Sequence, residues 1–316
     1  MLNHFIFSVN VVMPLFVLII IGYVLKKKDF ISEAFITIGN RMIFYILLPV
    51  TIFESVYNVD LSELTNVRFA VFSIGATVLS FAVIWFIAAF FIKDKRVLGA
   101  FVQGAFRANT VFIGLPLMRN LAGDIGVARF ALIVALVMPV TNVCAVLVLS
   151  VYSENGEKLK WKTLILTIIK NPLFIATILG IMLALLNIKL PIVAMRAIND
   201  LSHVTTPLAL ICLGGGITFL GFDKKFKYAV IASVIKIVIL PIAFTAAAYT
   251  LGFSGMDLAA FMILGGVPSA IIGYATVVQM DGDGCTAANI VLISTLFSAA
   301  TLTLFIYVMM VMGLLV

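Results

Sequence analysis

Two stretches of this sequence place hydrogen-bonding and charged side chains beside a proline inside otherwise apolar segments. The first stretch, RANTVFIGLPLMRNLAG, carries Arg107, Asn109, Thr110 and Arg119 around Pro116. Asparagine and threonine can hydrogen-bond a carboxylate without a permanent charge, and an arginine inside an apolar segment usually faces a cavity or a partner. These residue types indicate a binding site for a small anion, with Arg107 or Arg119 compensating its charge.

The second stretch, GGVPSA, adds Gly266, Pro268 and Ser269 as candidates for the same site. A proline inside a helix removes a backbone hydrogen bond, so both stretches are predicted to be helices broken at their prolines. The N-terminal ends of half-helices carry partial positive charge and free amides, which suit a carboxylate. The two breaks are therefore predicted to meet near the middle of the membrane and to shape the site.

Simpler interpretations exist for the same side chains. Asn109 and Thr110 could hydrogen-bond a neighbouring helix. Arg107 would lie about 13 Å from Pro116 along a helix and could extend to the cytoplasmic interface. Arg119 could equally lie near the external interface.

The spacing patterns of common catalytic and metal sites are missing from the sequence. It has no HExxH motif, no nucleophile elbow and no phosphate-binding loop, and its three cysteines show no metal-ligand spacing. We therefore expect no enzyme activity, no cofactor and no metal.

The composition predicts an all-α integral membrane protein. Hydrophobic residues make up 63% of the 316 residues, charged residues make up 11%, and the mean hydropathy is +1.23. A membrane-spanning helix needs about 20 apolar residues. Ten stretches meet this requirement, at 5–25, 36–57, 69–92, 97–121, 127–151, 164–187, 197–220, 228–252, 257–280 and 286–314.

The formal charge of +7 is spread over alternate loops and does not form one patch, so nucleic acid is not an expected partner. The positive-inside rule places these basic loops in the cytoplasm and both termini outside the plasma membrane. Lys236 is interpreted as an interfacial lysine, because it lies within about eight residues of a predicted cytoplasmic helix end. The basic residues of the alternate loops are Lys26, Lys27, Lys28, Lys93, Lys95, Arg96, Lys158, Lys160, Lys162, Lys224, Lys225 and Lys227.

Proline spacing indicates an internal repeat. The segments PLFVLIIIG and PLFIATILG match at five of nine positions and start 158 residues apart, and Pro49 and Pro207 have the same separation. We divide the chain into a five-helix repeat over 1–152, a cytoplasmic connector over 153–163 and a second five-helix repeat over 164–316. Because five is odd, the second repeat is predicted to be inverted in the membrane.

Four segments together resemble the auxin efflux carrier family over nearly the whole chain. They are NTVFIGLPLMRNLAG, KNPLF, TTPLALICLGGG and the tail that begins VPSAIIGYATVVQMDGDG. The resemblance implies ten helices, with helices four and nine crossing at prolines, and a carboxylate-bearing substrate beside Asn109, Thr110, Pro268 and Ser269. It also implies a homodimer. The short connector resembles the compact bacterial members, some of which are assigned to malonate or malate transport.

The sequence thus predicts a secondary transporter in the plasma membrane that moves a small organic anion by alternating access, by an elevator-like or rocking movement. The substrate would be a mono- or dicarboxylate such as malonate, malate or an auxin-like acid. The coupling ion is left open between H⁺, Na⁺ and none. An anion channel and a non-transporting membrane sensor are the alternatives.

Overall fold

The computed structural model is helical over the residues that it describes. The described residues are 2–58, 67–152, 172–186, 188–217 and 225–315. The predicted connector at 153–163 and the first eight residues of the predicted sixth span lie outside them. In chain order, the helices over the described residues are α1 Leu2–Lys27, α2 Glu33–Tyr57, α3 Val67–Phe91, α4 Lys95–Phe106, α5 Thr110–Tyr152, α6 Pro172–Leu185, α7 Ile192–Gly215, α8 Phe226–Thr250, α9 Gly255–Gly266, α10 Ile271–Gln279 and α11 Gly284–Val311.

Six of these helices, α1, α2, α3, α5, α8 and α11, are long and apolar enough to cross a bilayer. The described residues form no strand, and their one isolated bridge joins Ala108 to Ser269. Lipid offers no hydrogen-bond partners, and a helix satisfies its own backbone groups. The protein is therefore a multi-pass helical membrane protein.

The fourth predicted span is interrupted, but not at its proline. Helix α4 ends at Phe106 and α5 begins at Thr110, so the interruption lies at Arg107–Asn109. Pro116 lies within α5, which stays helical on both sides of it. The prediction of a break at Pro116 was therefore wrong by about two turns.

A π turn explains how α5 accommodates Pro116. In three helices, a leucine directly before a proline donates its amide to the carbonyl five residues earlier. This wider turn shifts the carbonyls with which the proline ring would clash, so the helix continues. The three π turns are Ile43–Leu47 before Pro49, Thr110–Gly114 before Pro116, and Ile235–Ile239 before Pro241.

The ninth predicted span is interrupted between α9 and α10. The interruption covers Val267–Ala270 and contains Pro268. The last helical hydrogen bond of α9 runs from the amide of Val267 to the carbonyl of Ile263. Pro268 has no N–H, so the helix does not continue through it. We call Arg107–Asn109 and Val267–Ala270 the crossing segments.

Helix α5 consists of two arms. Ala122 and Gly123 have non-helical backbone angles, and Gly123 has a φ of +61°, which favours glycine. The first arm runs from residue 110 to 121 and the second from 124 to 152. The first arm continues from the crossing, and the second returns beside it.

The helices form two groups. In the first group, α1 packs on α7 and α6 packs on α2. Glycines permit close approach, since a Cβ at Gly22 would lie 2.1 Å from the carbonyl oxygen of Ile211, and one at Gly214 would lie 1.9 Å from that of Ile19. The second group contains α3, α4, α5, α8, α9, α10 and α11, packed around the crossing segments.

Three loops meet on the side of the protein where α4 and α11 begin. The Lys225 ammonium lies 3.0 Å from a carboxylate oxygen of Asp94 and 2.7 Å from one of Asp283. Asp94 also caps α4, and Asp283 caps α11 through the amide of Thr286. The ion pairs therefore fix the starting positions of two helices that flank the crossing.

The glycine contact between α1 and α7 leads to a stability prediction. We expect Gly214→Ala to lower the free energy of unfolding by about 1–3 kcal/mol, because its Cβ would overlap a backbone carbonyl of α1 and force the helices apart. Gly75→Ala is the matched control, since a Cβ at Gly75 meets no atom within 4 Å. Thermal unfolding in detergent measures both, and equal midpoints for the two variants would contradict the proposed close contact.

The ion pairs of Lys225 lead to a pH prediction. Burial acts to raise the pKa of Asp94 and Asp283, but hydrogen bonds from Lys225 and from backbone amides outweigh it and hold both pKa values below the ordinary 3.8. The hydrogen bond to Asp283 raises the pKa of Lys225 above its ordinary 10.5. The stabilisation is therefore fully present between pH 3.8 and 10.5, and it is lost as the pH falls through the folded carboxylate values or rises through that of Lys225.

We expect Lys225→Met to lower the free energy of unfolding by no more than about 1 kcal/mol at neutral pH, because these groups are partly exposed to solvent. The difference from the wild type should shrink in acid below pH 3.8. Lys93→Met, a change of an exposed lysine near Asp94, is the control. The interpretation fails if the two variants unfold alike at neutral pH.

Candidate functional site

The two crossing segments run antiparallel and satisfy each other's backbone groups. The Asn109 amide donates to the carbonyl oxygen of Pro268 at 2.8 Å, and the Ala270 amide donates to that of Arg107 at 3.3 Å. Because lipid cannot pair with backbone groups, two interrupted spans are tolerated where they supply partners to each other. The crossing thus brings four half-helix ends together in the protein interior.

Two of these ends are helix N-termini, which carry partial positive charge. Helix α5 begins after Asn109, whose Oδ1 accepts the amide of Phe112 at 3.3 Å. Helix α10 begins after Ala270, which has no side-chain oxygen to cap it. The start of α10 therefore relies on other partners for its first amides.

A cavity of about 100 Å³ borders both N-termini. One water needs only about 10–15 Å³ of such space, so the cavity has room for a small organic ion. Its wall comes from α2 and α7 of the first helix group and from the crossing segments, α5 and α10 of the second. The polar side chains at this crossing cavity are Asn40, Arg107, Asn109, Thr110 and Thr141.

Arg107 places a positive charge at the crossing cavity. The residue is only 7% exposed, and its Nη2 donates to Oδ1 of Asn142 at 2.6 Å. Among the described residues no carboxylate lies within 4 Å of the guanidinium, and no acidic residue lines the cavity. A buried guanidinium that lacks a carboxylate partner, beside two helix N-termini, is an arrangement suited to an anion.

The structure brings together five of the predicted site residues. Arg107, Asn109 and Thr110 line the crossing cavity. Pro268 and Ser269 lie in the opposite crossing segment, where the Ser269 amide donates to Oγ of Ser294 at 3.1 Å. Pro268 acts through its carbonyl and Ser269 through its backbone, and neither side chain is among those lining the cavity.

Three other predicted residues lie away from the crossing cavity. Arg119 lies 3.3 Å from Asp124 and is 24% exposed, because about two and a half turns of helix carry it to the far end of the first arm of α5. Pro116 lies on the same part of α5, beside Arg119 and apart from the cavity. A Cβ at Gly266 would meet Leu302 and Pro241, so this glycine serves helix packing.

Sequence reasoning missed three polar residues at or next to the site. Asn142 is the acceptor for Arg107, and Thr141 and Asn40 line the cavity. Oδ1 of Asn40 has no hydrogen-bond partner among the described residues, so this oxygen is available to a hydrogen-bond donor. Their common signal is a polar side chain inside an apolar helix, and Thr141 and Asn142 also follow Pro139 by two and three residues.

The pairing of Arg107 with Asn142 leads to a further prediction. We expect Asn142→Leu to lower the free energy of unfolding by about 1–3 kcal/mol, because it leaves a buried guanidinium without its acceptor. Asn142→Asp retains an acceptor of the same shape and should keep the wild-type stability. Thermal unfolding distinguishes them, and a midpoint for the leucine variant equal to that of the aspartate variant would contradict the pairing.

Comparison with known proteins agrees with a transport site. Residues 7–306 match the family model described as membrane transport protein. The chain is 27% identical to a Rhizobium meliloti protein named "Putative malonate transporter", with 94% of each chain covered. It is 24% identical to an uncharacterized transporter of Methanocaldococcus jannaschii, covering 93% of this chain and 96% of the relative. It is also 20% identical to an uncharacterized transporter of Escherichia coli, covering 96% and 98%. The chain therefore belongs to the membrane transport protein family of auxin efflux carriers.

Proposed function

We propose that this protein is a secondary transporter that binds a small organic anion in the crossing cavity. The observation that carries the proposal is the buried guanidinium of Arg107 beside the N-termini of α5 and α10, in a cavity that none of the described acidic residues lines. The partial positive charges of the two helix N-termini and the charge of Arg107 would all stabilise a bound anion. A channel would need a continuous polar pore, whereas this cavity is small and most of its lining residues are apolar.

The substrate in this proposal is a mono- or dicarboxylate. A cavity of about 100 Å³ favours a small acid such as malonate or malate over a bulky one. The name of the Rhizobium meliloti relative supports the same class. The side-chain Nδ2 groups of Asn109 and Asn40 would donate hydrogen bonds to the carboxylate, and Arg107 would balance its charge.

We further propose ten membrane crossings in two inverted five-helix repeats, over 1–152 and 164–316. Ten crossings come from α1, α2, α3, α8 and α11, the second arm of α5, the two interrupted spans, and the pair α6 and α7. Reciprocal packing supports the repeat, because α1 packs on α7 while α6, the predicted counterpart of α1, packs on α2. Glycine lies at both contacts, since Gly22 faces α7 and Gly180 faces α2.

In this topology the basic loops are cytoplasmic and both termini are outside the plasma membrane. The contacts of Lys225 with Asp94 and Asp283 support this arrangement, since they join three of the loops predicted to be cytoplasmic. The crossing cavity borders the last residues of α7, which lead into one of these loops.

Alternating access would proceed by movement of the second helix group against the first. The crossing cavity lies at the boundary between them, with Asn40 and Leu213 on one side and Asn109 and Ile271 on the other. A relative displacement of the groups would carry the bound anion with the crossing segments. Rigid-body rocking and an elevator-like shift both satisfy this geometry.

Uptake of labelled malonate, malate, succinate and indole-3-acetate into proteoliposomes tests the proposal. Saturable counterflow is expected of a carrier, whereas non-saturating flux would indicate a channel. If none of the four acids enters vesicles that contain folded protein, the proposed substrate class is wrong.

Variants of Asn109 locate the site. Asn109→Ala should reduce uptake, but it also removes the cap of α5, which is worth about 1 kcal/mol. Asn109→Asp keeps a capping oxygen and adds negative charge, so we expect at least about a tenfold loss of uptake with the folded stability retained. Asn120→Ala is the matched control. Asn120 lies on the same arm of α5 as Asn109 but away from the cavity, and its Nδ2 donates to the carbonyl oxygen of Val11 on α1. Wild-type uptake by Asn109→Asp would remove Asn109 from the site.

A further inference from the structure

Lys236 lies in the protein interior, and its interpretation as an interfacial lysine was wrong. It is fully buried, at 0% exposure, in the π turn of α8. Helix α8 begins at Phe226, and ten residues of helix place Lys236 about 15 Å from that end. Its side chain extends towards α9 and not towards the membrane surface.

The ammonium of Lys236 bonds the last carbonyls of α9. Nζ donates to the carbonyl oxygens of Gly265 and of Leu264, the latter at 3.4 Å. Neither carbonyl has its ordinary helical partner. Pro268 has no N–H to offer Leu264, and the amide of Ser269 donates to Ser294 instead of Gly265. Lys236 therefore satisfies two backbone groups that the interruption of the ninth span leaves without amides.

The surroundings of Lys236 contain no compensating carboxylate among the described residues. The π turn packs on α4, α9 and α11. Asp257 is the one acidic residue of these three helices, and it lies at the far end of α9, 2.5 Å from Arg129. The negative partner of the ammonium is thus the partial charge at the C-terminal end of α9.

In transporters with interrupted helices, the carbonyls at half-helix C-terminal ends are where a coupling cation binds. We propose that the ammonium of Lys236 occupies this cation position as a covalently attached cation, so that anion transport by this protein is not coupled to Na⁺. The inference rests on the proposed transport function. It removes Na⁺ from the three open alternatives and leaves H⁺ coupling and uniport.

Thermal unfolding in detergent tests the cation position without requiring transport. In NaCl and in choline chloride of equal ionic strength, the wild-type midpoint should be the same. Lys236→Ala leaves the two carbonyls and an empty space, so its lowered midpoint should rise by several degrees in NaCl, as for any ligand that binds the folded state. Lys236→Met fills the space without a charge, and its lowered midpoint should not respond to Na⁺.

Lys227→Met is the matched control, because Lys227 lies exposed in the first turn of the same helix. It should unfold as the wild type does in both salts. Lys236→Arg retains a cation and its donors, so it should also be indifferent to Na⁺. A wild-type midpoint that rises with Na⁺, or a Lys236→Ala midpoint that does not, would overturn the proposal.

Uptake by the wild type gives a second measurement that does not depend on whether the variants fold. Initial rates in NaCl and in choline chloride should agree within about twofold, since no Na⁺ site has to be filled. A Na⁺ requirement for uptake would overturn the proposal. If no anion is taken up in either salt, the proposed transport function fails, while the unfolding measurements still decide the role of Lys236.

Discussion

The exchange of backbone hydrogen bonds between Arg107–Asn109 and Val267–Ala270 is the constraint on which the site depends. Neither interruption would be stable alone in a bilayer, because each leaves amides and carbonyls that lipid cannot satisfy. Two interruptions placed side by side supply the missing partners. Since the segments come from different halves of the chain, this pairing also joins helices of both halves within the second helix group.

At the crossing, the positive N-terminal helix ends and the negative C-terminal helix ends have different surroundings. A buried cation lies beside each kind of end. The N-termini of α5 and α10 border the crossing cavity beside Arg107. Two C-terminal carbonyls of α9 accept hydrogen bonds from Lys236, and the carbonyl of Arg107, which directly follows α4, accepts the amide of Ala270. Negative ends are thus occupied by protein donors, while positive ends face space that a ligand can enter.

Pro116 and Pro268 illustrate why a similar local pattern has two outcomes. Both prolines lie two residues after a glycine in apolar segments, and both were predicted to break their helices. Before Pro116 a π turn lets the helix continue without the amide hydrogen bond that proline lacks. The interruption lies instead at Arg107–Asn109, where Asn109 caps the start of α5. Before Pro268 the carbonyls of Leu264 and Gly265 accept hydrogen bonds from Lys236 of α8, which stabilises the interruption at that place. A sequence window does not contain that partner.

Hydropathy, proline spacing and short motifs were sufficient to predict a helical membrane transporter and the two segments that contain its candidate site. These properties depend on residues close together in the chain, and the solvent requires long apolar helices whatever their packing. The rotation and depth of each side chain depend on which helices pack against it. Packing therefore decided that Arg107 pairs with Asn142 and borders the cavity, that Arg119 pairs with Asp124 elsewhere, and that Lys236 is buried.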